Sequence, residues 1–167
     1  MAELYITFIL IGLIILAVGL AFLIQGAPFV TSNDEATEEI ARLVSKFSPN
    51  KVLELGSGNG KVVLAIARNG INVDGIEINP ILVFISRRAI KKAGLDNRAR
   101  ILWGSFWHFN IESYYLVTFY AVTHIMKKLN LKLDKELQPG SIAISNYFKL
   151  PNKKSIRTLG KLKVYKF

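Results

Sequence analysis

Val52-Leu53-Glu54-Leu55-Gly56-Ser57-Gly58-Asn59-Gly60-Lys61 is the stretch that decides the fold. Val52 to Leu55 read as a short buried strand, the glycine-rich segment as a turn, and Lys61 to Arg68 as a helix. Strand, tight turn and helix open a doubly wound α/β sheet, whose ligands bind outside the carboxyl ends of the strands. Gly56 and Gly58 lack the Cβ atoms that would keep a ligand off the backbone, and Gly60 permits a tight entry into the helix. Ser57 completes the turn. A dinucleotide fingerprint would need its last glycine where Lys61 stands, so a pyrophosphate loop is disfavoured. The acidic Glu54 suits the ammonium of an amino-acid-like ligand instead.

Reading outward, Asn72 to Ile78 form a second strand, and Glu77 ends it at the same edge, about 17 residues after Gly60. A carboxylate there can accept both hydroxyls of a ribose, through charge-assisted bonds worth roughly 1.5 to 3 kcal/mol each. The alternative is that Glu77 caps the next helix and the glycines only make turns. Asn79-Pro80 start that helix, which stops at Gly94. A third strand follows at Arg100 to Trp103, a fourth at Tyr114 to Tyr120, a helix at Ala121 to Leu137 and a fifth strand at Ser141 to Tyr147. The tail reads as a hairpin around Gly160. Ahead of the deciding run, Thr31, Ser32 and Asn33 offer N-caps to an amphipathic helix of Ile40, Leu43, Val44 and Phe47 that closes at Pro49-Asn50. The pattern predicts an α/β, Rossmann-like, doubly wound and mostly parallel sheet with a C-terminal antiparallel hairpin, preceded by one transmembrane helix.

That helix is expected from Leu4 to Ile24, about 21 residues without a charge, roughly 30 Å long as a helix and so long enough to span. The first 26 residues hold one acid, Glu3, and no Lys or Arg, against a formal charge of +10 for all 167 residues. The rest therefore carries 22 basic and 11 acidic residues, or +11. We expect an anchor over 1–27 and a globular domain over 28–167, with the basic domain on the cytoplasmic side. Membrane lipid, through the spanning helix and anionic headgroups, is one expected partner. The lysines Lys127, Lys128, Lys132 and Lys135 read as a solvated or lipid-facing surface, as do Lys149, Lys153, Lys154 and Arg157. Without cysteine, disulfides, thiolate catalysis and Cys-based metal sites are excluded. His108 and His124 lack a carboxylate at metal-ligand spacing and read as structural.

The two halves of the site, Glu54 with its glycine turn and Glu77 in Val73-Asp74-Gly75-Ile76-Glu77-Ile78-Asn79-Pro80, resemble a class I, seven-strand, S-adenosylmethionine-dependent methyltransferase over roughly residues 28 to 167. The resemblance implies S-adenosyl-L-methionine as cofactor, with Glu54, Gly56 and Gly58 at its methionine moiety, Glu77 at the ribose and Ile78 on one face of the adenine. Ser105 stands where such enzymes often carry an acid facing the adenine amino group; its hydroxyl or Phe106 could serve. Pro28-Phe29-Val30-Thr31-Ser32 and Tyr147-Phe148-Lys149-Leu150-Pro151 are similar to segments of the small membrane-anchored protein-lysine methyltransferases related to those of the ATP synthase c subunit and the adenine nucleotide translocase. That narrower resemblance implies a lysine on a membrane-associated protein as acceptor.

Methyl transfer is a displacement at a sulfonium carbon, for which positioning and desolvation supply much of the catalysis. Tyr120, at the end of the fourth strand, is the first candidate to orient an acceptor, followed by Asn146 and Tyr147 after the fifth. Thr118-Phe119-Tyr120-Ala121 lacks the Asn/Asp-Pro-Pro-aromatic pattern of enzymes that methylate exocyclic amino groups of bases, so nucleic acid is disfavoured as a partner. A lipid-like or other small acceptor, and a non-catalytic cofactor-binding module, stay open as alternatives.

Overall fold

The computed structural model describes residues 2–25 and 34–167, with side chains described at 3–15 and 34–167. The Pro28 to Ser32 motif and the caps Thr31, Ser32 and Asn33 lie outside the described residues. The chain divides into two compact units, Met1–Val30 and Thr31–Phe167.

The first unit is the helix α1 (Ala2–Gln25). Its described large side chains, from Leu4 to Ile15, are apolar and exposed. Among the described residues no helix is long and apolar enough to cross a membrane. The expected span Leu4 to Ile24 runs past residue 15, beyond which its side chains lie outside the described residues. Among the described residues, the transmembrane helix expected from the sequence is thus not supported.

The second unit runs α2 (Asp34–Ser45), β1 (Lys51–Leu55), α3 (Lys61–Arg68), β2 (Asn72–Glu77), α4 (Pro80–Lys92), β3 (Ala99–Trp103), β4 (Leu116–Phe119), α5 (Thr123–Glu136), β5 (Ile142–Asn146), β6 (Arg157–Leu159) and β7 (Leu162–Lys166). The seven strands form one sheet in the order β3-β2-β1-β4-β5-β7-β6. The first five are parallel, and the hairpin adds β7 antiparallel to β5, with β6 outermost. This is a mixed, Rossmann-like sheet. Its strand order reverses between β1 and β4, which makes the crevice beyond their carboxyl ends the natural ligand site.

The central strands are buried on both faces, which is why they read as continuous apolar runs rather than alternating ones. Val52, Val63, Ile66, Val83 and Ile90 pack one face with α2, α3 and α4. Leu53, Leu55, Leu129, Leu133 and Tyr165 pack the other with α5 and the loop after β3. On that second face Asp74 is buried, and it accepts from Arg100 Nε at 2.6 Å, from Lys51 Nζ at 2.8 Å and from the Tyr114 hydroxyl. Burial alone would raise its pKa; these donors more than reverse that and hold the carboxyl below its usual range. At the outer strand β3, Arg87 of α4 donates from Nε at 2.9 Å and Nη2 at 2.7 Å to the carbonyl of Ile101.

Three sequence expectations need correction. β4 starts at Leu116 rather than Tyr114, because the Tyr114 hydroxyl is drawn to Asp74. β5 stops at Asn146, because Tyr147 takes a left-handed φ of 80°. Lys132 is not a solvated cation: it is buried, and its ammonium donates to Glu136 and to the carbonyl of Phe109.

Candidate functional site

Glu54 stands on β1 beside the point of strand reversal, in register with Gly75 on β2 and Thr118 on β4. It is buried, and its side-chain partner is the Thr118 hydroxyl, which donates to Oε2. Burial pushes the carboxyl up to about 8, with the Thr118 bond pulling weakly the other way. The sheet thus holds a protonated acid two residues before the glycine turn, with no cation paired to it among the described residues.

The turn itself is built from its own amides. Gly56 N and Ser57 N both donate to the Ile76 carbonyl, Gly58 N donates to Glu77 Oε2 at 2.9 Å, and Gly60 N donates to the Ser57 carbonyl. A pyrophosphate cradle would need such donors free, so this turn is unsuited to one. The glycines divide the labour. Gly56 and Gly58 have positive φ at the open edge. Gly60 also has a positive φ, but a Cβ there would lie 2.8 Å from Ser86 Cβ on α4, so its absence serves helix packing rather than ligand contact.

Ser57 is buried over Gly75, where a Cβ would come within 2.7 Å of Ser57 Cβ. Its hydroxyl is buried and has no hydrogen-bond partner among the described residues. Gly75 is a residue that sequence reasoning missed as part of the site: it makes the space in which the turn sits. The period-two pattern of β2 carries no sign of it, since the clash is with a residue 18 positions earlier.

Glu77 ties three loops together. Besides Gly58, its Oε1 accepts from Asn79 N at 2.8 Å, and its main-chain carbonyl accepts from Gly104 N at 2.9 Å. Asn79, not Glu77, caps α4, accepting from Ile81 N and Leu82 N. Each carboxylate oxygen of Glu77 keeps lone pairs for a further donor. Ile78 follows, its carbonyl bound by Trp103 Nε1. Ser105 and Phe106 lie in the loop after β3, where Ser105 Oγ accepts from Trp107 N and the Phe106 and Trp107 rings stand 4.5 Å apart. An open cleft of about 500 Å³ beside them is lined by Ile76, Trp103, Gly104, Ser105 and His108 among others.

On the other side of the reversal, the ends of β4 and β5 bring aromatic rings together. Tyr120 lies 6.2 Å from Phe148, and Tyr147 lies 4.9 Å from it, edge to face. Phe148, which sequence reasoning left out of the site, is the ring that joins the two expected tyrosines. Asn146 is buried and pairs with Leu162 on β7. Lys163 donates to the Tyr147 carbonyl at 2.7 Å, and burial together with the nearby Lys149 lowers its pKa. His108 lies in the cleft and His124 on α5, and among the described residues no group of three or more His, Cys, Asp or Glu could hold a metal.

This geometry has known counterparts. The lysine N-methyltransferase of the ATP synthase c subunit from Mus musculus is 31% identical over 74% of this chain and 50% of its own. A protein-lysine N-methyltransferase of Saccharolobus islandicus is 29% identical over 74% of this chain and 78% of its own. The chain spans about half the length of most of the curated relatives it matches. A solved RNA methyltransferase from Salinibacter ruber, in complex with S-adenosyl-L-homocysteine, superposes with a TM-score of 0.74 at 28% identity over 81% of this chain and 91% of that one. The family model of the ANTKMT methyltransferase domain matches residues 54–157, from the buried acid at the strand reversal to the first residue of the hairpin, and the chain belongs to that family.

Proposed function

We propose that this chain is an S-adenosylmethionine-dependent methyltransferase that modifies a lysine of a membrane-associated protein. The observation that carries the reading is Glu54, a buried acid paired among the described residues only with a hydroxyl, beside the open glycine turn of a methyltransferase-family domain. An acid so placed is complementary to an incoming ammonium, which would drive its ionisation. Glu77 would receive the ribose hydroxyls on its remaining lone pairs, with Ile78 and Phe106 flanking the adenine. Gly56 and Gly58 leave room for the methionine moiety. When bound, the cofactor supplies a methyl group on a sulfonium.

The chain's own task is then to present a neutral amine. A lysine has a reference pKa near 10.4, so its neutral form costs roughly 4 to 5 kcal/mol at pH 7. The rings of Tyr120, Phe148 and Tyr147, the last of them half exposed, would line one side of such an amine and lose their water when the acceptor seats, which disfavours its charge. The Tyr120 hydroxyl and Asn146 are the groups assigned to orient it. A lysine acceptor is supported by relatives named for lysine methylation. A membrane location is supported by the exposed apolar side chains of α1, which we assign to a bilayer, with the basic domain on the cytoplasmic side.

Labelled cofactor added to a membrane extract tests the acceptor. Label is expected in protein, lost with Glu77→Ala, which should also weaken cofactor binding about tenfold or more. Label confined to lipid would overturn the lysine reading. Label confined to RNA would favour the activity named for the Salinibacter ruber neighbour. Release of the full chain from membranes by salt alone would remove the anchoring role from α1.

A further inference from the structure

α4 has two different ends. Its N-terminal half exposes Ile81 at 68% and Phe84 at 66%, and Trp103, the last residue of β3, stands 67% exposed beside it. The indole N–H of Trp103 is bound to the Ile78 carbonyl at 3.0 Å, so the group that would favour water is already satisfied and the ring is left as an apolar surface. The C-terminal half exposes Arg88, Lys91 and Lys92. None of the three pairs with an acid among the described residues, and α4 contains no acid at all.

This arrangement differs from α5. There Lys132 pairs with Glu136, Lys153 of the tail pairs with Asp134, and Lys128 lies over the Trp107 ring. Of the four α5 lysines, Lys128 and Lys132 are answered by the protein; of the four α4 cations, only Arg87 is answered among the described residues, through the Ile101 carbonyl. Large apolar side chains next to unanswered cations, on the outer surface of one helix rather than in a groove, match a phase that is apolar below and anionic at its surface.

We propose that the α4 face, with Trp103, docks on an anionic lipid bilayer. Ile81 is the second residue of α4 and Trp103 ends β3, so both lie at the carboxyl edge of the sheet, where the glycine turn and Glu77 also lie. Docking through them turns the open edge of the site toward the membrane surface and holds it there. The contact is separate from α1, and it does not rest on the cofactor or acceptor reading: a chain that bound no cofactor would still dock.

The test uses the full chain reconstituted into vesicles with brominated acyl chains, either zwitterionic or containing phosphatidylserine, with tryptophan emission as the readout. The Trp103 contribution is the difference between the full chain and its Trp103→Phe variant. Quenching of that contribution is expected in anionic vesicles and should fall as salt rises. The double variant Ile81→Glu, Phe84→Glu should bring it down to its zwitterionic level with the melting temperature unchanged, since both side chains are exposed. Arg88→Gln with Lys91→Gln and Lys92→Gln should remove the anionic preference alone. No quenching in anionic vesicles, or equal quenching in the double variant, overturns the proposal. So does a concentration-dependent dimer, formed without lipid and abolished by the double variant, which would assign the face to a second copy of the chain. Cofactor binding, measured separately by calorimetry, keeps any failure here distinct from a failure of the methyltransferase reading.

Discussion

Asp74 and Glu54 sit on adjacent strands of one sheet, both buried, yet the protein treats their charge in opposite ways. Asp74 is surrounded by Arg100, Lys51 and Tyr114 and is held ionised. Glu54 meets one hydroxyl and keeps its proton. The chain satisfies the first acid from its own residues and leaves the second for something it does not itself contain. A buried acid fully answered by its fold is structural; one left unanswered at an open sheet edge marks where a cation is received.

The comparison breaks most visibly at Glu54. Glu54→Gln should weaken cofactor binding roughly ten- to hundredfold, from the loss of a charge-assisted contact of about 1.5 to 3 kcal/mol, read by calorimetry. The same change should leave the protein as stable or more stable at pH 8. Because the folded pKa lies above the unfolded one, the folded state binds more protons, and stability from this group is lost as pH rises from the ordinary carboxyl range to about 8. Glutamine removes that loss.

Asp74→Asn should do the reverse. We expect about 2 kcal/mol of destabilisation, below the usual cost of breaking a buried pair because Arg100 and Lys51 are exposed enough to re-solvate. Cofactor affinity of the folded protein should not change, and a fall in affinity without a fall in melting temperature would undo the contrast. The Asp74 contribution is present above the ordinary carboxyl pKa and is lost as pH falls through its lowered folded value.

Smaller effects sharpen the picture. Binding should release protons near pH 7, and affinity should climb as pH approaches 8, when Glu54 ionises without the ligand's help; calorimetry in buffers of different ionisation enthalpy counts those protons. Thr118→Val removes the one donor that favours the ionised form. It should shift that pH profile upward and weaken binding at neutral pH roughly threefold, equivalent to about half a pKa unit.

Much of this was legible in the chain. Short apolar runs and helical spacings, punctuated by Gly94 and Pro139-Gly140, specify the order of strands and helices, and the turn after Leu55 together with Glu77 marks the working edge. What stayed hidden depends on contacts between distant residues. Nothing local in Tyr114-Tyr115-Leu116 says that Tyr114 leaves the strand, because its partner Asp74 lies 40 residues away. Gly75 and Gly60 look like ordinary glycines until Ser57 and Ser86 are seen against them. Lys132 reads as a surface lysine because spacing alone does not show that Glu136 and a carbonyl of the loop close over it.

The grip of Arg87 on the Ile101 carbonyl also bears on how the protein behaves in a crowd. A parallel sheet ends on its β3 side in a strand whose free main-chain groups would readily template another chain. A guanidinium fork laid over one of those carbonyls occupies the position an incoming strand would need and places a fixed positive charge along the rim, so that two copies meeting edge to edge repel rather than zip together. Arg87→Leu would expose a sticky margin, and its signature is loss of solubility at high concentration.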